Sequence, residues 1–127
     1  MKLNEVPAAA LEELGDAYRT AAAAQGQAVV AGDHKVANRH SDLLFAISRE
    51  LRGRGEAGQS VLLPLLNDSD ESVRSWAAAD VLEFVPELAV PVLEVLAETN
   101  GLPGLNAKMT LQEWRNGRLS FQINRER

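Results

Sequence analysis

The chain has 127 residues, 46% of them apolar and 24% charged, and it contains no cysteine. That length suits a single domain with its own buried core, and the missing thiols exclude disulfides, cysteine nucleophiles and cysteine-based zinc sites. The net charge of −5 disfavours nucleic acid as a partner. No apolar run approaches the roughly 20 residues of a membrane span and the N-terminus lacks a signal-peptide core, so a soluble, cytoplasmic protein is the expectation.

Aromatic residues make up only 5% of the chain, while Ala and Leu abound. That composition favours close-packed helices over strands, and no alternating run of useful length competes. The first helix is expected to start near Pro7, a residue suited to a first turn, with Leu11, Leu14 and Tyr18 at helical spacing. Gly26 is a point where it could kink or end, and Gly32-Asp33 breaks the chain, with Asp33 as the next cap. A second helix, about His34 to Arg52, carries Val36, His40, Leu43, Leu44, Ile47 and Leu51 on one face. The glycines of "GRGEAG" close it. "QSVLLPLLND" reads as a short third helix, "SDES" as a turn with Ser69 or Asp70 as cap, and "ESVRSWAAADVLEFV" as a fourth helix. Pro86 ends that helix or begins the fifth, "PELAVPVLEVLAETN"; a sixth lies within "GLPGLNAKMTLQEWRNG", and 118–127 form a short polar tail.

The chain repeats itself. "LLPLL" at Leu62–Leu66 aligns with "AVPVL" at Ala89–Leu93, placing Pro64 opposite Pro91, and Ala78 and Leu82 align with Ala107 and Leu111. Helix pairs over about 60–85 and 86–117 follow, of the size found in helical solenoids. A proline inside each first helix would bend it. The stretch "LLPLLNDSDESVRSWAAADVL" resembles a HEAT repeat: apolar first helix, turn Asp, then Val-Arg opening the second helix. That resemblance implies an all-α, right-handed HEAT-like stack of about five to six helices. It also implies a structural ladder role for Asp68 and Arg74, limited to one rung because Leu102-Pro103 replaces Val73-Arg74 in the second unit. With "VANR" at Val36–Arg39, "ELRGRG" at Glu50–Gly55 and "TLQEWRNG" at Thr110–Gly117, the chain is similar to a small bacterial HEAT-like family, domain of unknown function number twenty-nineteen. Members of that family look like immunity partners of secreted toxins.

Charge is uneven. Residues 68–100 carry eight acids against Arg74 alone, a balance of −7, whereas residues 1–67 sum to −1 and residues from 101 onward to +3. The central segment suggests a basic protein partner, with a merely solubilising surface as the plain alternative. On a helical wheel Asp80 falls among Val73, Trp76, Ala77 and Phe84. A carboxylate there needs a partner from a neighbouring helix, or else lines a groove with Trp76. His34 and His40 lie about 120° apart around a helix, which is no metal-binding arrangement. His40 is instead expected on the apolar face with one nitrogen bonded. The resemblance at "VANR" marks Asn38 and Arg39 as functional candidates, with Asn38 bonding the chain near the first helix as the plain alternative; Trp114 is expected to be partly exposed.

No phosphate loop, nucleophile elbow or zinc-binding helix is present. The reading is therefore a non-enzymatic protein-binding module without cofactor or metal, most concretely an immunity- or antitoxin-like partner that blocks a basic toxin domain. Its contacts are placed at Asp70, Glu71, Trp76, Asp80, Glu83 and Glu87. Two alternatives stay open. One is a HEAT-like enzyme acting on nucleic acid, since some HEAT-like glycosylases use an acid and aromatics on a concave face, as Asp80, Trp76 and Arg74 could. The other is a subunit that self-associates through exposed apolar helix faces.

Overall fold

A computed structural model describes residues 1–117. Among these there are six α-helices, two 3-10 helices and no strand. The α-helices are α1 (Leu11–Val30), α2 (His34–Gly53), α3 (Glu56–Ser60), α4 (Glu71–Val81), α5 (Pro86–Ala97) and α6 (Leu102–Arg115). The 3-10 helices span Leu3–Ala8 and Leu63–Asn67.

Local chemistry sets most of these boundaries. Asp33 caps α2 by accepting from the Val36 N–H at 3.2 Å, after Gly32 turns the chain at φ 75°. Asp70 caps α4, its Oδ1 accepting from the N–H groups of Ser72 (2.8 Å) and Val73 (3.3 Å). Pro86 begins α5 rather than ending α4, using its fixed φ at a position that needs no N–H donor.

Three expectations need correction. Pro7 lies within the first 3-10 helix, and α1 begins only at Leu11, where the Glu13 carboxylate accepts from the Ala10 N–H at 3.0 Å. Gly26 neither kinks nor ends α1, which continues to Val30. The glycine serves close packing: a Cβ there would lie 1.9 Å from Ser72 Oγ on α4. The third concerns "QSVLLPLLND", which is not one short helix. It divides between α3 and the 3-10 helix, whose bonds run Leu65 N–H to Leu62 O and Asp68 N–H to Leu65 O. Pro64 has no N–H for an i→i−4 bond and its ring crowds the preceding turn, so the tighter winding wins. Pro91, by contrast, lies inside α5, so the two prolines do not bend equivalent helices.

α1 and α2 form a hairpin joined by residues 31–33, and α4 packs on α1, on the 3-10 helix before it, on α5 and on α6. One cluster of buried side chains runs through these contacts: Leu14, Tyr18 and Ala22 from α1, Leu44, Ile47 and Leu51 from α2, Val73, Ala77 and Val81 from α4, then Leu93, Leu96, Ala107 and Leu111. Small residues at Ala22, Ala77, Ala78, Ala89 and Ala107, all at most 1% exposed, let the helices approach closely.

Candidate partner-binding groove

The residues singled out from sequence fall in three different settings. Asp80 is 5% exposed and accepts a hydrogen bond from the hydroxyl of Tyr18, itself wholly buried, at 2.7 Å. It joins α4 to α1 and faces the core, not an open groove. Glu83 pairs with Arg52 of α2, Nε to Oε2 at 2.7 Å, with both side chains largely buried. Asp70 serves as the α4 cap. Only Glu71 and Glu87 of the acidic candidates are exposed.

The acidic segment therefore does not present its full charge. Asp68 binds Arg19 of α1 (Nε to Oδ2, 2.6 Å) and Glu94 binds Arg115 (3.0 Å). The Asp70 N–H, 2.9 Å from Oδ1, and then the Arg19 guanidinium hold the Asp68 carboxyl below its usual range, against partial burial that acts the other way. Arg74 meets Asp68 through the main chain, its Nη1 donating to the Asp68 carbonyl at 2.7 Å. Asp68 and Arg74 thus brace one turn, while the carboxylate itself reaches back to α1. Asp80, Trp76 and Arg74 do not assemble an open acid–aromatic site, because the carboxylate is spent on Tyr18 and the guanidinium on the turn.

Trp76 lies elsewhere. It is half-buried between α1 and α2, its Nε1 donating to Gln25 Oε1 at 3.2 Å and its ring edge-to-face with Phe45 at 5.5 Å. It forms part of a groove of about 380 Å³ between the end of α1, the first half of α4 and the start of α6. Val29, Val30 and Leu102 supply apolar walls, and Glu71 is the carboxylate of the lining. Val30 is 91% exposed and Leu102 49%. The apolar surface continues along α6 through Leu105 and Met109, which share Leu102's side of the helix. α6 buries Gly104, Ala107 and Leu111 on the opposite side, so it is apolar on two faces. The sequence reading missed this second face. Its signal was present in the spacing of Leu102, Leu105 and Met109, but a helix apolar on both sides reads simply as a buried helix.

Other expectations resolve plainly. His40 is half-buried on α2 and makes no hydrogen bond among the described residues, so its expected bonded nitrogen is not found. Asn38 is exposed and does not tie α2 to α1. Trp114 is half-buried. Among the described residues, no three His, Asp or Glu side chains cluster to hold a metal ion, and no helix is long and apolar enough to cross a membrane. The tail 118–127 lies outside the described residues.

No protein-family model matches the chain, and no curated protein matches it in sequence. The fold is similar to that in the crystal structure of the protein RPA1889 from Rhodopseudomonas palustris CGA009, with a TM-score of 0.86 and 21% identity over 92% of this chain and 98% of that one. At that identity the likeness bears on the fold alone: an all-helical arrangement shared across nearly the whole of both chains.

Proposed function

We propose that the protein is a non-enzymatic binding module built on a short right-handed HEAT-like stack, and that it grips a partner protein through the outer face of α6 and the adjoining Trp76 groove. The observation that carries this reading is the second apolar face of α6, where Leu102, Leu105 and Met109 are 49%, 52% and 56% exposed, and Leu102 lines the same groove as Val30. Large apolar side chains grouped on one exposed helix face mark interaction surfaces more often than singly scattered ones. Burying a large apolar side chain at an interface is worth about 1.5–3 kcal/mol before ordering costs. Glu71 at the rim and the net charge of −5 favour a partner with basic residues beside its apolar contact. An immunity- or antitoxin-like role, blocking a basic toxin domain in the cytoplasm, is the concrete form of this reading. Within it, Glu71 and Trp76 remain contact residues, Glu87 adds an exposed charge, and Asp80 and Glu83 serve the scaffold.

The test is a tagged pull-down from the native host at low salt, with washes of rising salt, run beside Leu105→Asp/Met109→Asp and Glu71→Lys. A stoichiometric basic protein is expected on the unaltered chain, lost with the double variant and released at lower salt with Glu71→Lys. A partner held equally by the double variant would refute the placement. A dimer seen by light scattering and dissolved by the same double variant would replace partner binding with self-association.

A further inference from the structure

A second opening lies on the other side of α1, between α1, α2 and the N-terminal segment, with a cavity of about 890 Å³. Its floor is apolar, from Ala17 and Ala21 of α1 and Leu43 of α2. Its polar lining holds two carboxylates, Asp16 and Asp42, and the cationic side chains of Lys2 and Arg39, with the α-amino group of Met1 also at its edge. The half-buried His40 stands beside them.

Among the described residues these side-chain charges make no ion pair. Arg19, Arg52, Arg54, Arg74 and Arg115 all donate to carboxylates or carbonyls, and Arg49 is engaged as well. Arg39 alone among the arginines of the described residues makes no hydrogen bond or ion pair. Asp42 lies one helical turn further along α2, a spacing at which opposite charges commonly meet, yet the two remain apart. Asp16 and the Lys2 ammonium are likewise without an ion pair among the described residues. Lone surface charges are ordinary. Here charges of both signs face one cavity, over an apolar floor, while every other arginine among the described residues is engaged.

The geometry points to a binding site for a small zwitterion with an apolar body, such as an apolar amino acid or short peptide. Its carboxylate would meet Arg39 and its ammonium Asp42 or Asp16. With both signs in the lining, a purely anionic or purely cationic ligand would bring its charge beside one of like sign. Arg39 offers a planar fork of donors that fits a carboxylate in two-point contact. The volume lies within the ~300–1,000 Å³ usual for small-molecule sites. The site is separate from the α6 face, so either can fail without the other.

The experiment is an amide NMR titration of the isotope-labelled full chain with leucyl-leucine. N-acetyl-leucine, which lacks the ammonium, and leucinamide, which lacks the carboxylate, serve as comparisons. Saturable shifts at Ala17, Ala21 and Leu43 are expected, with affinity falling roughly tenfold or more for each comparison compound and for Arg39→Gln or Asp42→Asn. Both substituted residues are exposed, so unchanged melting temperatures would show that the variants are folded. No saturable shift with leucyl-leucine would overturn the proposal. So would N-acetyl-leucine binding as tightly as the dipeptide, or binding unaffected by Arg39→Gln.

Discussion

Tyr18→Phe isolates the hydrogen bond on which the reading of Asp80 turns. The substitution removes one hydroxyl from a side chain that is 0% exposed and leaves the ring in place. It takes from Asp80, 5% exposed, a donor at 2.7 Å. A hydrogen bond to a charged acceptor in such a setting is worth about 1.5–3 kcal/mol. For 127 residues, an unfolding entropy of about 2.1 cal/mol/K per residue converts that loss to a fall of roughly 6–11 °C in Tm. Calorimetry on the purified chain would measure it, with circular dichroism confirming unchanged helix content. If Tm moved by less than about 2 °C, the hydroxyl would contribute almost nothing and the weight placed on the Tyr18–Asp80 bond would be wrong. If Tm fell as expected while partner capture survived, Asp80 would be confirmed as scaffold and not contact.

Gly26→Ala is expected to destabilise by about 1–3 kcal/mol, because the new methyl would lie 1.9 Å from Ser72 Oγ and 2.7 Å from its Cβ. Gly53→Ala, with nothing within 4 Å, should instead stabilise by up to about 1 kcal/mol; urea unfolding of both variants distinguishes packing from helix propensity. Asp70→Ala should cost about 1 kcal/mol by uncapping α4, read in the same assay. The Asp68 carboxyl is held below its usual range in the folded state, so its contribution is complete above the unfolded value near ~3.9 and disappears as pH falls through the folded one. Asp68→Asn should therefore flatten the acid limb of stability against pH below about 4, and an unchanged limb would refute the assignment.

The parts of this fold that were legible in the sequence are those set by neighbours along the chain. Asp33 and Asp70 act on backbone groups two or three residues ahead, so their capping roles show in the order of residues alone. The apolar face of α2 is similarly local, and Leu44, Ile47 and Leu51 are buried as its periodicity requires. Asp80 illustrates the boundary. Its place on an apolar face was legible, but its partner, 62 residues away, was not. The charge run failed for the same reason: Arg19, Arg52 and Arg115 reach Asp68, Glu83 and Glu94 only after the helices have packed. The winding at Pro64 was misread because apolar spacing does not separate a single 3-10 turn from a short α-helix. In the groove, Trp76 was legible as a candidate, whereas Val30 and Leu102 become neighbours only through the close approach of α1, α4 and α6.

The central position of α4 has a consequence for how the chain comes apart. It contacts α1, the 3-10 helix before it, α5 and α6, whereas the N-terminal 3-10 helix rests on α2. Local openings can begin at the two ends and leave the middle intact. Amides of α4 should therefore exchange with solvent only through global unfolding, while those of α6 and the N-terminal 3-10 helix exchange sooner. The scaffold would hold its register while the surface offered to a partner adjusts.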